Sequence, residues 1–100
     1  YPDFEVLWYG HIGDGNLHIN ILKPVSVNPT TFAQKCGAVS EQLFAILQRH
    51  GGSISAEHGV GLTKKPFLHY TRDETEVSYL RAIKQVFDPN GIMNPGKIFD

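Results

Sequence analysis

The sequence predicts an α+β fold: antiparallel strands with a helix packed on one face, followed by a helical C-terminal tail. Three observations point to it. An apolar stretch, a glycine-rich loop and an alternating stretch follow one another over residues 4–21. Two later segments repeat apolar residues at steps of three and four, the spacing of one helix face. Residues that favour turns separate these segments.

Taken in order, Phe4 to Tyr9 is rich in apolar and aromatic residues and reads as a buried strand. Gly10-His11-Ile12-Gly13-Asp14-Gly15-Asn16 follows, with glycines that allow positive φ and close backbone approach to a ligand. Leu17, Ile19 and Ile21 then alternate with His18 and Asn20, which puts the two polar side chains on one strand face. A hairpin is the natural connection. Asn28-Pro29 is a helix start, with asparagine as cap and proline in the first turn. Phe32, Cys36, Val39, Leu43 and Leu47 form the apolar stripe, and Gly51-Gly52 ends the helix. Ser53 to Ala56 is a short strand candidate. Thr71-Arg72-Asp73-Glu74 has capping-box spacing ahead of a second helix with the stripe Val77, Leu80, Ile83 and Phe87. Asp88-Pro89-Asn90-Gly91 is a turn. The expected organisation is a strand-strand-helix-strand part over residues 1–60 and a helical tail over 61–100. The tail looks less self-sufficient than the first part and is expected to pack on another part of a parent protein.

The bulk composition excludes several classes of function. A chain of 100 residues with 41% hydrophobic and 19% charged residues is ordinary for a small globular domain. Its net charge of -1 offers no footprint for nucleic acid, and no polybasic run suggests a membrane surface. No apolar stretch approaches the roughly 20 residues that span a bilayer. Cys36 is the single cysteine, so an internal disulfide and a Cys-x-x-Cys zinc pair are both ruled out. The first residues, Tyr1-Pro2-Asp3-Phe4, are neither an initiator methionine nor a signal sequence. The chain is therefore expected to be a fragment of a longer protein, without a targeting segment of its own.

Three clusters could carry chemistry. His11 and His18 lie seven apart across the glycine loop, with Asp14 between them and Asn20 beyond. Two imidazoles at the ends of a tight hairpin can face one ion, and zinc accepts nitrogen and carboxylate ligands together. A strand histidine can equally be a surface or hydrogen-bonded residue, and Asp14 suits a purely structural role in the turn. Glu57 and His58 form the second cluster, at a strand end where side chains project from a rigid support. Glu57 could complete a two-histidine, one-carboxylate set and His58 could be a general base, or both could be solvated polar residues. The third cluster is the tail, where Asn94 and Lys97 could bond a cofactor or simply shape an irregular end. His50, near a helix C-terminus, reads as structural.

Three stretches together, Gly10-His11-Ile12-Gly13-Asp14-Gly15-Asn16-Leu17-His18, Glu57-His58-Gly59-Val60-Gly61 and Asp88-Pro89-Asn90-Gly91-Ile92-Met93-Asn94-Pro95-Gly96-Lys97-Ile98-Phe99, resemble the C-terminal domain of FAD-linked oxidases. This is the group with the vanillyl-alcohol-oxidase type of fold, which includes D-lactate, glycolate and D-2-hydroxyglutarate dehydrogenases. The resemblance runs in order through nearly the whole chain. It implies that the chain is part of a ferredoxin-like cap domain. His11, His18 and Glu57 would hold a divalent metal, expected to be zinc, and His58 would be the base between substrate and flavin. It also implies that Asn20 touches substrate, and that Asn94 and Lys97 return to the flavin. Ile19-Asn20 follows His18 where many lactate and glycolate members have proline, which tilts the reading toward the D-2-hydroxyglutarate-like branch.

The resemblance further implies FAD bound mainly by an N-terminal domain that has no counterpart here. A small 2-hydroxy acid is the expected substrate, oxidised to the 2-oxo acid, with an unidentified electron acceptor. This fragment alone is expected to be inactive. The expected location is the cytoplasm or the mitochondrial matrix, and a homo-oligomer is left open. The alternative is a non-catalytic structural or interaction module derived from that family.

Overall fold

The computed structural model describes residues 1–99. Its elements, in chain order, are β1 (Val6–His11), β2 (Asn16–Ile21), α1 (Pro29–Arg49), a 3-10 helix (Lys65–Tyr70) and α2 (Glu74–Phe87). This is the expected α+β class with antiparallel strands, and it fits a small cap domain. The chain divides into two units, Tyr1–Leu43 and Phe44–Asp100, so that α1 begins in the first and ends in the second. No helix among the described residues is long and apolar enough to cross a membrane.

In the first unit the two strands pair antiparallel, from Val6 opposite Ile21 to His11 opposite Asn16. The four-residue turn Ile12–Gly15 closes the hairpin. Asp14 has the structural role expected of it: its carboxylate accepts from the Asn16 backbone N–H at 3.3 Å and from Asn16 Nδ2 at 2.8 Å. Gly15, at φ +72°, supplies the left-handed residue that joins the turn to β2. Gly10 serves differently. A Cβ there would collide with the Asn16 backbone carbonyl, so the strands reach their spacing only because residue 10 has no side chain.

The start of α1 follows the sequence reading closely. Asn28 Oδ1 accepts from the Thr30 N–H at 2.8 Å, and the Asn28 carbonyl accepts the first helical bond, from Phe32, at 2.9 Å. All five stripe positions, Phe32, Cys36, Val39, Leu43 and Leu47, are half-buried. Phe32 meets the segment before β1 through Phe4, with ring centroids 5.4 Å apart, and Lys35 Nζ lies 5.4 Å over the same Phe4 ring. The helix ends at the glycine pair. Gly51 N–H donates to Gln48 O at 3.1 Å, Gly52 N–H donates to Leu47 O at 2.8 Å, and Gly51 takes φ +67°. These are the two bonds and the left-handed residue of a Schellman stop.

The second unit centres on Phe44, Phe67 and Tyr70, whose centroids are 4.9 to 6.5 Å apart. Such aromatic pairs contribute about 0.5–1.5 kcal/mol each beyond their area. The expected strand at Ser53 to Ala56 is absent among the described residues. Hydroxyl groups hold this segment where a neighbouring strand would have done so. Thr71 Oγ1 accepts from the Ile54 N–H at 3.0 Å, and Ser53 Oγ accepts from the Ser55 N–H at 3.2 Å. The capping box also lies two residues later than its expected position. Asp73 accepts from Glu76 N–H at 2.8 Å, and Glu76 Oε2 accepts from Asp73 N–H at 3.2 Å. Thr71 is already committed to Ile54. On α2 only Val77 of the expected stripe is half-buried; Leu80, Ile83 and Phe87 are exposed.

Candidate functional site

The hairpin register decides which side chains can act together. Directly opposed residues in an antiparallel pair share a face, and faces alternate along each strand. Tyr9 pairs with His18, His11 with Asn16 and Leu7 with Asn20. His11, His18 and Asn20 therefore project from one face of the hairpin, while Trp8, Leu17 and Ile19 project from the other.

On that face the two imidazoles meet edge to face, with centroids 6.1 Å apart and planes inclined at 76°. His11 is exposed and His18 half-buried. Metal–nitrogen bonds of about 2.0–2.1 Å demand ring nitrogens only a few ångströms from each other. Imidazoles at this separation can meet that demand, so the donor chemistry of the pair fits a borderline divalent metal. One neighbour escaped the sequence reading. The Tyr9 ring lies over His18 with centroids 5.0 Å apart and planes only 5° from parallel, and the Tyr9 hydroxyl accepts from Asn20 Nδ2 at 3.1 Å. The signal was available in principle, because a four-residue turn between Gly10 and Asn16 sets residue 9 opposite residue 18.

Glu57 and His58 lie in the second unit, on an irregular segment in place of a strand end. Glu57 Oε1 is 3.4 Å from His58 Nε2. The bend is held locally: Ser55 Oγ donates to the Gly59 carbonyl at 2.9 Å, and Gly59 takes φ +77°. Glycine at 59 is required because that region is costly for any side chain. Beside Glu57 is a cleft of about 290 Å³, lined by Ile54, Val60, Leu68, Thr71 and Arg72 among others. Both side chains are exposed, 42% for Glu57 and 77% for His58.

Asn94 and Lys97 occupy a turn of their own. Lys97 N–H donates to Asn94 O at 3.3 Å, and Lys97 Nζ donates to Pro95 O at 3.4 Å. Asn94 has φ +47°, which asparagine tolerates, but Ile98 has φ +64°, which a β-branched residue does not. Such strain costs about 1–3 kcal/mol and persists only when surrounding contacts impose it. Here the Ile98 N–H donates to Gly61 O at 2.9 Å, Lys65 Nζ donates to Gly96 O at 3.1 Å, and Arg81 lies 5.0 Å over the Phe99 ring.

The tail is anchored by a residue that the sequence reading counted only as part of a turn. Asp88, 4% exposed, accepts from Lys84 Nζ at 2.6 Å, Ile92 N–H at 2.9 Å and Met93 N–H at 3.0 Å. The bond from Lys84 holds its carboxyl below the ordinary value of 3.8, against burial, which pushes the other way.

Comparison with known proteins gives a consistent result. A family profile described as "FAD linked oxidases, C-terminal domain" matches residues 2–98. The chain is 60% identical over 99 residues to a D-2-hydroxyglutarate dehydrogenase of Stutzerimonas stutzeri, covering 99% of this chain and 21% of that protein. It is 54% identical over 100 residues to a D-2-hydroxyglutarate dehydrogenase of Xanthomonas citri pv. viticola, covering 100% and 21%. It is 43% identical over 97 residues to a D-2-hydroxyglutarate–pyruvate transhydrogenase of Saccharomyces cerevisiae, covering 96% and 18%. The chain thus spans about a fifth of the length of these relatives.

Proposed function

Because the chain belongs to the family of the C-terminal domain of FAD linked oxidases, we propose that it supplies the metal- and substrate-binding part of an FAD-dependent dehydrogenase. The full-length protein would oxidise a D-2-hydroxy acid, of the D-2-hydroxyglutarate type, to the corresponding 2-oxo acid. The observation that carries this reading is the hairpin face on which His11, His18 and Asn20 stand together. Similarity to relatives named for D-2-hydroxyglutarate supports the choice of substrate over lactate or glycolate.

In this proposal His11, His18 and Glu57 would hold a divalent metal, with zinc as the proposed ion, which would supply Lewis acidity toward the substrate hydroxyl. FAD, bound mainly by the N-terminal part of the parent chain, supplies the acceptor of the hydride. The residues of this chain do the rest. Asn20 orients the substrate through its side-chain amide. His58 takes the hydroxyl proton on its imidazole, and Glu57 Oε1, 3.4 Å from His58 Nε2, stabilises the imidazolium that forms. Asn94 and Lys97 complete the flavin contact from the tail. The same proposal includes an electron acceptor that reoxidises the flavin, and a cytoplasmic or mitochondrial-matrix location.

Elemental analysis of the full-length protein beside its His18→Ala variant tests the reading. Stoichiometric metal in the parent, at least tenfold less in the variant, and loss of dye reduction with D-2-hydroxyglutarate are expected. A variant with full metal and full activity overturns the ligand assignment.

A further inference from the structure

We propose that Tyr9 is the positioning residue that couples the metal side of the site to its substrate side, its ring orienting His18 and its hydroxyl orienting Asn20. The inference rests on the function proposed above and deepens it.

Tyr9 contacts both groups. Its ring lies 5° from parallel with His18 at 5.0 Å, and its hydroxyl accepts from Asn20 Nδ2 at 3.1 Å. Both contacts follow from backbone register. Tyr9 is directly opposite His18, and Asn20 is two residues further along the same strand on the same face. A diagonal neighbour at that distance is within reach of an aromatic side chain but not of a short one. A tyrosine at position 9 can therefore hold both partners at once.

Each contact removes a specific freedom. An imidazole on a strand can rotate about its outer side-chain bond, and that rotation decides where its nitrogens point. A ring stacked flat against it limits the rotation. A primary amide can likewise turn, exchanging its donor and acceptor ends, until a partner accepts from the nitrogen. With Nδ2 bonded to Tyr9, the carbonyl end of Asn20 is directed elsewhere. The ring and the hydroxyl are thus separable, which makes the inference testable by halves.

Tyr9→Phe keeps the ring and removes the hydroxyl. In the full-length flavoprotein it is expected to leave metal content and kcat near wild type and to raise KM for D-2-hydroxyglutarate about three- to tenfold, the loss of one orienting hydrogen bond. In an Asn20→Ala background the same change is expected to have no further effect on KM, because the hydroxyl acts through Asn20. Tyr9→Ala removes both functions and is expected to weaken zinc retention against a chelator about tenfold, the lower range for a residue that orients a metal ligand. Tyr9→Phe should restore that retention.

An unchanged KM in Tyr9→Phe, or a full additional effect in the Asn20→Ala background, overturns the role of the hydroxyl. Wild-type zinc retention in Tyr9→Ala overturns the role of the ring. If His18→Ala loses metal and Asn20→Ala raises KM while the Tyr9 variants match wild type, the inference alone fails. If His18→Ala and Asn20→Ala also match wild type, the proposed function fails with it.

Discussion

Replacing each glycine of the hairpin by alanine asks why glycine stands at that position, and the structure gives a different answer for each. At Gly10 the added Cβ would collide with the Asn16 carbonyl oxygen, and would lie 3.0 Å from Asn16 C and 3.2 Å from Leu17 Cα. All three are backbone atoms of β2, so no rotamer change relieves them; the strands must move apart. Overpacking of this kind costs about 1–3 kcal/mol. The smaller unfolded-state entropy of alanine offsets about 0.4–1 kcal/mol, leaving a net loss of up to about 2.6 kcal/mol. At Gly15 there is open space but φ is +72°, so the cost is left-handed backbone alone, about 1 kcal/mol. At Gly13 nothing lies within 4 Å and φ is not positive, so alanine should be neutral or stabilising by up to about 1 kcal/mol. Urea unfolding of the full-length protein followed by hydrogen exchange of the hairpin amides would rank the three. Gly10 lies between Tyr9 and His11, so its variant should also lose metal most readily. Gly10→Ala as stable as Gly13→Ala would refute the close strand approach on which the site's geometry depends.

Three other expectations follow from the same structure. His58→Ala in the full-length protein should lower turnover about 100- to 10,000-fold while metal content stays at the wild-type level; unchanged turnover in a steady-state assay removes His58 as the base. Asp88 has a folded-state pKa below its ordinary 3.8, so its charge stabilises the tail above that pH, and the contribution is lost as pH falls through the lower folded value. Limited proteolysis of the segment after α2 should therefore accelerate only under strongly acid conditions in the wild type, and already at neutral pH in Asp88→Ala. Asp73→Ala should destabilise α2 by about 1 kcal/mol in thermal unfolding, whereas Glu74→Ala, outside the capping box, should cost less than half as much.

The parts of this fold that could be read from sequence are those set by near neighbours. Asn28, the stripe from Phe32 to Leu47 and the Gly51-Gly52 stop specify α1 from within its own length, and each appears where it was expected. The hairpin was legible for the same reason, although β1 begins two residues later than the apolar run suggested and is exposed from Leu7 onward where a buried strand was expected. What could not be read was competition between distant groups. Thr71 and Asp73 are both good caps, and the choice falls to Asp73 because the Thr71 hydroxyl is taken by Ile54, 17 residues away. That same bond, with Ser53 and Ser55, satisfies the segment expected to be a strand. Periodicity likewise marks α2 as amphipathic but cannot supply a surface to cover Leu80, Ile83 and Phe87.

The candidate site shows the same division more sharply. His11 and His18 are seven residues apart, a spacing that means little until a four-residue turn aligns β1 and β2 and makes them neighbours on one face. Once that alignment is granted, it applies to every residue of the hairpin, and it brings in Tyr9 on the same terms as the histidines. Sequence alone does not single out Tyr9, because an aromatic residue in an apolar run has an adequate explanation as packing. Its actual contacts, with an imidazole face and an amide nitrogen, are those of a side chain that orients polar groups. Chemistry-bearing residue types reveal which groups could react, whereas strand register reveals which groups hold them still. A site assembled from the first alone omits the residues that give it a fixed geometry.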